Sequence, residues 1–278
     1  PTTLQFSYQI GASVPPAQKV SVSATGGSLS FTATASTTSG GNWLGVSLVS
    51  GATPGEFSVV VNPAGVPVGT YNGTIMVSAP NASNSPQSVS VILTVIAAPL
   101  PQPSMTAVKN AASYAVGALA LGEIVYLEGT NIGPPTLTTL RVTGGRVDTI
   151  LGDTRILFDG VPAPLIYVSS IKSSAVVPYA LAGRVSTRIQ VEYQNQRSNP
   201  VEFRLADAAP GLFSADSSGQ GPGALLNQDY SVNGPNNPAA KGSVVMLYGT
   251  GAGQLQWGVV DGSITSTVPP WPAPILPV

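Results

Sequence analysis

The chain has 278 residues, a net charge of -1, and charged side chains at only 8% of its positions. Nucleic-acid binding needs a basic face, and so few charges cannot form one, so nucleic acid is excluded as a partner. The absence of Cys and His excludes thiolate nucleophiles, disulfides, zinc-type ligation and His-based catalytic triads.

Residues 3–97 contain a series of short predicted β-strands. Apolar and polar side chains alternate within them, as at Val89, Val91, Leu93 and Val95. A period of two buries one face of a strand and exposes the other. Gly and Pro residues separate about seven such runs, which is typical of an immunoglobulin-like sandwich. The predicted fold class is all-β, with tandem immunoglobulin-like antiparallel β-sandwiches of which the last is incomplete.

Pro and Gly residues divide the chain into five predicted segments. These are a sandwich at 1–97, a Pro-rich linker at 98–104, a sandwich at 105–206, a Gly/Pro/Asn-rich connector at 207–241, and a partial unit with a Pro-rich tail at 242–278. Proline cannot donate to a central β-ladder and keeps a spacer extended. The short stretch 111–121 is the one segment with helical character.

A sequence repeat with a spacing of 120 residues connects the second sandwich to the partial unit. Residues 122–133 (GEIVYLEGTNIG) correspond to residues 242–253 (GSVVMLYGTGAG), with six identical positions. At this spacing Val278 corresponds to Phe158, inside a predicted strand of the first copy. We therefore expect the second copy to need a strand from elsewhere to close its core.

The segment NWLGVSLVSGATPGEFSVVVNPAGVPVGTYNGTIMVSA at 42–79, with the strand VSVILTV at 89–95, resembles BACON-type bacterial domains. The resemblance implies an immunoglobulin-like sandwich. It also implies either an association with carbohydrate or a spacer role, because domains of this type are found in both.

Residues 105–278 resemble the Solibacter-type C-terminal domain of secreted acidobacterial proteins, which is built from IPT/TIG-like units. The resemblance rests on NAASY at 110–114, FDGVPAPLIYV at 158–168, APGLFSAD at 209–216 and NQDYSVNGPNNPAAKGSVVMLYGTGAGQ at 227–254. It implies a secreted protein and provides no catalytic chemistry. In the family, the second unit continues with a further strand that is similar to FDGVPAPLIYV.

Few residues indicate catalysis or cofactor binding. The chain has no G-x-S-x-G elbow, and its glycine runs lack the features of phosphate loops, so we expect no enzymatic activity. The weak candidates for a metal site are Asp216, Asp229 and Asn233, whose oxygen atoms suit calcium. Asx turns explain these residues equally well, and no other cofactor is expected.

Aromatic side chains provide the candidates for glycan binding. Trp43 and Tyr71 are the candidate glycan contacts, although the position of Trp43 beside Leu44 is more typical of a core residue. Trp257 and Trp271 lie in the partial unit, where tryptophans are typical interface anchors.

The truncated repeat, the low charge and the all-β pattern together predict a structural subunit of an extracellular fibre or cell-surface assembly. It would polymerise with copies of itself through strand exchange or β-augmentation. The predicted subunit-interface residues are Leu4, Phe6, Tyr8, Trp257, Trp271, Ile275 and Leu276. The run at 4–10 and the Pro-rich tail are the candidate donor segments.

Two other functions stay open. The chain could be a carbohydrate-binding or adhesive module of a larger secreted bacterial protein, with extracellular polysaccharide as its partner, or an inert spacer. Membrane insertion is not expected, because no apolar run reaches the ~18–20 residues of a spanning helix.

Overall fold

The computed structural model describes residues 1–256, 259–265 and 271–276, in two compact units, Pro1–Pro99 and Leu100–Val278. Both units are built from β-strands, which confirms the predicted all-β class. Within the described ranges the only helix is a single 3-10 turn at Tyr179–Leu181. No helix in those ranges is long and apolar enough to cross a membrane.

The first unit is an immunoglobulin-like sandwich of two sheets. Its strands are β1 (Thr3–Gln9), β2 (Gln18–Val22), β3 (Ser30–Thr37), β4 (Leu44–Val46), β5 (Ser50–Ala52), β6 (Gly55–Val61), β7 (Gly69–Ser78) and β8 (Gln87–Ile96). One sheet has the order β1-β8-β7-β3-β5 and the other has the order β2-β6-β4. All pairs are antiparallel except β1 with β8, which is parallel over seven residue pairs.

The apolar residues of the period-two pattern point inward and fill the core between these two sheets. Val89, Val91, Leu93 and Val95 on β8 are at most 6% exposed. Trp43 is 2% exposed, and its indole Nε1 donates a hydrogen bond to the Ser39 carbonyl at 2.9 Å. Trp43 is therefore a core residue, and its N–H has the hydrogen-bond acceptor that a buried Trp usually finds.

In its described residues the second unit contains a further seventeen strands. They are β9 (Ser104–Asn110), β10 (Leu119–Ala120), β11 (Ile124–Thr130), β12 (Thr138–Thr139), β13 (Val142–Thr143), β14 (Arg146–Val147), β15 (Thr154–Phe158), β16 (Val161–Pro162), β17 (Leu165–Val168), β18 (Lys172–Val176), β19 (Ser186–Tyr193), β20 (Gln196–Arg197), β21 (Val201–Ala206), β22 (Gly211–Leu212), β23 (Leu225–Leu226), β24 (Met246–Leu247) and β25 (Gly249–Thr250).

The first repeat folds as a sandwich of two sheets with the orders β10-β21-β19-β15-β16 and β12-β17-β18-β11-β9. Strand β11 carries the repeated sequence and lies between β18 and β9. Its inward residues Val125 and Leu127 are fully buried. The strand is therefore covered on both edges and on its apolar face.

The helix predicted over 111–121 is wrong, because a side chain organises a turn there instead. The Asn110 Oδ1 accepts hydrogen bonds from the backbone N–H groups of Ala112 (2.9 Å) and Ser113 (3.1 Å). Tyr114 follows with a φ of 54° and donates its N–H to the Asn110 carbonyl at 2.9 Å. An Asn side chain that bonds the next backbone groups stabilises a turn in competition with a helix.

A buried carboxylate completes this turn. Glu123 is 1% exposed, and it accepts hydrogen bonds from Asn110 Nδ2 at 2.9 Å and from the Ala120 N–H at 2.7 Å. Burial raises the pKa of Glu123 above its ordinary value of 4.5, although these two hydrogen bonds oppose the change.

Replacing Trp43 by Ala should destabilise the first unit by about 3–5 kcal/mol, because the cavity left in the core cannot fully collapse. The loss of unfolding free energy is measured in the whole chain, by hydrogen exchange in urea that is followed on peptides from residues 1–99. The control Tyr71→Phe removes only a hydroxyl that donates to the Pro67 carbonyl at 2.9 Å, and should cost about 1 kcal/mol or less. A Trp43→Ala protein of unchanged stability would contradict the core assignment.

The raised pKa of Glu123 should make the free energy of unfolding depend on pH. Folding favours its protonated form, so its contribution to stability is complete below about pH 4.5 and is lost as the pH rises through the higher folded pKa. The unfolding free energy of the wild type minus that of Glu123→Gln should therefore decrease as the pH rises from acid to neutral. Urea denaturation at several pH values measures it, and a flat or rising difference would show that Glu123 is not desolvated in this way.

Candidate functional site

The second copy of the repeat pairs in the same register as the first, but only over β24 (Met246–Leu247) and β25 (Gly249–Thr250) in place of the seven residues of β11, and it lacks the same cover. Leu247 pairs with Leu225 as Leu127 pairs with Val108. Yet Val245 is 36% exposed and Leu247 is 62% exposed, whereas Val125 and Leu127 are fully buried. Identical residues at equivalent positions therefore differ in burial.

Two kinds of cover that β11 has are absent from this copy in the described residues: a strand on the second edge and a sheet facing the apolar side. In the first repeat β11 has β9 on one side and β18 on the other. In the described part of the chain, β24 forms a two-stranded sheet with β23 alone, and β25 pairs only with β22. We call residues 243–250 (SVVMLYGT) the acceptor strand. Charged residues and Pro usually protect an open edge, and this segment contains neither.

The acceptor strand pairs with β22 and β23, and a loop separates these two strands. In the first repeat, the pairing of β9 with β11 shifts register between Glu128 and Gly129. In the second repeat, residues 213–224 separate β22 from β23 at the corresponding place. A bridge between Ser214 and Gly223 closes this loop. Bulges commonly mark positions where a strand changes its course.

A turn also precedes the strand in the second repeat, but it is one residue shorter than the turn at Asn110, because the N–H donor lies three residues after the Asn and not four. Asn227 is 7% exposed, and its carbonyl accepts a hydrogen bond from the Tyr230 N–H at 2.9 Å. Tyr230 has a φ of 67°, close to that of Tyr114. Asn110 lies 12 residues before Gly122 and Asn227 lies 15 residues before Gly242, so a search at a fixed offset of 120 residues does not align the two turns.

Polar contacts attach the second repeat to the first. The Thr250 Oγ1 accepts a hydrogen bond from the Ile124 N–H at 2.7 Å, and Asn110 Nδ2 donates to the Ala209 carbonyl at 3.0 Å. The carboxylate of Asp261 accepts from the N–H groups of Tyr179 (2.5 Å) and Ala180 (3.4 Å) at the start of the 3-10 turn. The second repeat is thus held in place by the first one.

The glycines of the second repeat are required by close backbone approach. Gly251 and Gly253 both have a φ of 81°, and an added Cβ would lie 1.9 Å from the Ala209 carbonyl oxygen and 1.8 Å from that of Asp207, respectively. Glycine is the residue that tolerates both conditions. These contacts agree with turns of β structure in place of a phosphate loop.

A second feature is a cleft lined by tyrosines on the outer face of the first repeat. Tyr167, Ser174, Tyr126 and Lys109 are successive cross-strand partners on β17, β18, β11 and β9. The rings of Tyr126 and Tyr114 are 5.5 Å apart and nearly perpendicular, at 84°. Because strands lie about 4.8 Å apart, Tyr126 and Tyr167 are separated by roughly 10 Å with the small Ser174 between them.

The loop of the second repeat forms the other wall. The cavity has a volume of about 260 Å³ and is lined by Tyr114, Tyr126, Tyr167, Ser174, Phe213, Ser214 and Ser217, among others. We call these seven residues the tyrosine cleft. Sequence reasoning missed it because it considered tryptophans first. The available signal was Tyr126, which lies on the outward face of a strand whose alternate residues are buried.

The hydroxyl groups of Tyr126 and Tyr167 stay protonated at neutral pH. Burial raises the pKa of Tyr167 to about 12, and the neighbouring Tyr126 and Tyr114 add to the rise. Burial also raises the pKa of Tyr126, with Glu128 contributing. Both hydroxyl groups therefore act as hydrogen-bond donors as well as acceptors.

The predicted N-terminal interface residues belong to the core of their own unit. Leu4 and Phe6 are 7% and 4% exposed, and Tyr8 packs partly buried against the same core. Strand β1 is already paired with β8. Its apolar face is used within the chain, and a contact of this segment with another subunit stays a prediction.

The C-terminal candidates have mixed outcomes. The tail is bound to its own chain, since the Ile275 N–H donates to the Gln254 carbonyl at 2.9 Å and Pro274 pairs with Leu255. It is therefore not a free donor segment. Ile275, Leu276 and Trp271 are 54%, 41% and 57% exposed, so their interface role stays a prediction. Trp257 lies outside the described residues.

The predicted glycan contacts do not form a platform. Trp43 is buried, so its ring offers no face to a sugar. Tyr71 is half-buried against the first core and lies over Gly40, where an added Cβ would be 2.6 Å from its ring. The burial of Trp43 favours its role in the core, as the sequence also indicated, and the glycan contacts at Trp43 and Tyr71 stay predictions.

The calcium candidates are engaged in local turns and are not brought together. Asp216 accepts from the Ser218 N–H (3.0 Å) and Oγ (2.7 Å), and Asp229 accepts from the Ser231 N–H (3.0 Å) and Oγ (2.6 Å). These serine hydrogen bonds lower the pKa of both carboxyls. Asn233 donates to Asn227. Among the described residues, no three Asp, Glu, His or Cys side chains cluster as metal ligands.

No protein-family model and no curated protein sequence is similar enough to match the chain. Among solved structures, it is similar to a protein of unknown function from Porphyromonas gingivalis W83, with 15% identity, a TM-score of 0.28 and coverage of 73% of this chain and 97% of that one. The periplasmic chaperone SfaE has 11% identity, a TM-score of 0.27 and coverage of 74% and 98%.

A third similar structure is the SGBP-B protein of the Bacteroides ovatus mixed-linkage glucan utilization locus, in complex with a mixed-linkage heptasaccharide. It has 11% identity, a TM-score of 0.25 and coverage of 89% of this chain and 57% of that one. TM-scores this low assign neither a function nor a family to the chain. The BACON and IPT/TIG assignments therefore stay predictions.

Replacing Thr250 by Val should destabilise the second unit by about 1–3 kcal/mol, because the Ile124 N–H loses its acceptor without a change in side-chain shape. Its equivalent in the first repeat, Thr130, is exposed, and Thr130→Val should change stability by no more than about 0.5 kcal/mol. Urea denaturation measures both. Equal effects of the two substitutions would show that Thr250 does not anchor the second repeat.

Proposed function

We propose that this chain is a non-catalytic structural subunit of an extracellular or cell-surface assembly, in which a strand from a neighbouring copy pairs with the acceptor strand. The single observation behind the proposal is the exposure of Val245 and Leu247, whose counterparts Val125 and Leu127 are buried. Under this proposal the first unit is a BACON-like sandwich and the second unit is built from IPT/TIG-like repeats.

The chemistry of the acceptor strand supports pairing with another strand. Val244 and Tyr248 are 63% and 49% exposed, so both faces of the strand are available. Main-chain hydrogen bonds to an added strand provide affinity, and the alternating side-chain contacts provide specificity. An uncharged apolar edge that stays open favours association.

The charge distribution permits close approach of identical copies. Lys19 and Glu56 are the only charged residues in positions 1–100, and they pair with each other at 2.7 Å. The whole chain has a net charge of -1, so long-range repulsion between copies is small.

Pairing at an existing edge suits the structure better than exchange of the N-terminal strand. Strand β1 is paired over seven residues and contributes Leu4 and Phe6 to its own core. Its release would expose that core. The acceptor strand, in contrast, gains a neighbour without the loss of an existing one.

The test compares lysine substitutions at two exposed apolar positions. Leu247→Lys places a charge on the acceptor strand, and the control Ile171→Lys places the same charge on a turn residue that is also 62% exposed. Leu247→Lys should weaken self-association by about tenfold or more, which corresponds to about 1.4 kcal/mol. Ile171→Lys should leave it unchanged. Sedimentation velocity and electron microscopy of the whole chain provide the measurements.

Two results would overturn the assembly proposal. One is a wild-type protein that stays monomeric at about 1 mM, since self-association would then be weaker than about -4 kcal/mol. The other is an equal loss of association in Leu247→Lys and Ile171→Lys. Because the chain has no native Cys, a spin label on Leu247→Cys should in addition become immobilised upon assembly, whereas one on Ile171→Cys should not.

A further inference from the structure

The tyrosine cleft has the chemistry of a binding site for a neutral, hydroxyl-rich ligand. The residues that line its cavity include no charged side chain. Three charged residues lie beside the lining, and each already has a partner. Lys109 and Glu128 pair at 2.9 Å, with Glu128 also bound to the Tyr126 hydroxyl, and the Asp216 carboxylate accepts hydrogen bonds from Ser214 and Ser218. A charged ligand would find no counter-ion in the cleft, so the lining favours an uncharged one.

Aromatic faces and hydroxyl groups occur together in the cleft. The Tyr114 and Tyr126 rings meet edge to face, and Tyr167 lies two strands away from Tyr126. Ser174 lies between these two strands at the base, and Ser214 and Ser217 belong to the opposite wall. Tyrosine combines an apolar ring with a polar tip, so one side chain contacts both parts of an amphipathic ligand.

We propose that the tyrosine cleft binds one neutral pyranose ring of an extracellular polysaccharide. A pyranose presents an axial C–H face, which packs on an aromatic ring, and a rim of hydroxyl groups, which exchange hydrogen bonds with the tyrosine and serine hydroxyls. The cavity of about 260 Å³ is slightly smaller than the roughly 300–1,000 Å³ of pockets that enclose drug-sized ligands. Its size therefore suits a single ring of a longer chain.

Both repeats contribute to this site. Gly219 in the loop of the second repeat lies against Tyr114, where an added Cβ would be 2.7 Å from the ring and 2.9 Å from the Ser113 carbonyl oxygen. Phe213 and Ser214 at the start of the loop also line the cavity. The insertion between β22 and β23 thus gives the outer face of the first repeat the second wall that a flat sheet lacks.

The inference is independent of the assembly proposal. The cleft lies on the outward face of β11, β17 and β18, and none of its seven residues belongs to the acceptor strand. Sugar binding is therefore expected in the assembly-defective variant Leu247→Lys. Loss of assembly and loss of binding can be separated by experiment.

Affinity electrophoresis of the whole chain tests the proposal, with gels that contain hydroxyethylcellulose, galactomannan or xylan as neutral probes. Polygalacturonate serves as an acidic probe. Decaproline in solution serves as a competitor, because grooves lined by aromatic residues also bind Pro-rich peptides. We expect at least one neutral probe to retard the protein. Tyr126→Ala and Tyr167→Ala should each weaken that binding by about tenfold, since each removes one stacking ring.

The matched control is Tyr230→Ala, because Tyr230 occupies the equivalent turn of the second repeat and is 75% exposed. It should bind as tightly as the wild type, whereas Tyr114→Ala should bind more weakly. If the alanine variants do not fold, nitration of the wild-type protein by tetranitromethane serves as the test instead. The bound neutral probe should then protect Tyr114, which is 40% exposed, but not Tyr230.

Several results would overturn the proposal. They are the absence of retardation by all three neutral probes, stronger retardation by polygalacturonate, displacement by decaproline, and equal effects of Tyr114→Ala and Tyr230→Ala. Failure of the neutral probe to protect Tyr114 from nitration would have the same meaning.

Discussion

An apolar β-strand inside a sandwich needs a neighbour on each edge and a packed layer on its apolar face, and the second unit depends on this constraint. Strand β11 meets it, with β9 and β18 as neighbours. The acceptor strand has the same Val and Leu spacing but, in the described residues, a neighbour on one side only. Nor does another sheet of the described residues pack on its apolar face, as happens on β11. Leu247 is therefore 62% exposed, and this exposure is the physical basis of the proposed assembly.

The buried Asn110 connects the two repeats into one unit. Its side chain satisfies the turn at Ala112 and Ser113, binds Glu123, and donates to Ala209 in the segment that leads into the second repeat. A buried polar group is stable only when it is hydrogen-bonded, and here each bond serves a different part of the fold. The turn also places Tyr114 beside Tyr126, so the same residue contributes to the shape of the tyrosine cleft.

Much of the architecture could be predicted from sequence, because its signals are local. The alternation at Val89–Val95 identified a half-buried strand, and the position of Trp43 beside Leu44 indicated a core residue. The donor segments could not be predicted in the same way. The pattern at Leu4, Phe6 and Tyr8 shows that one face of a strand is apolar, but an apolar face packs equally well on its own unit or on a neighbour.

The sequence by itself determined the all-β class, the approximate strand positions and the repeat, because side-chain periodicity and turn residues act over short distances. Only the tertiary structure decided that the repeated Val and Leu residues are buried in one copy and exposed in the other. It also decided that tyrosines from three separate segments and a loop of the second repeat meet in one cleft. These outcomes depend on which strands become neighbours, and neighbours far apart in the chain leave no local pattern in the sequence.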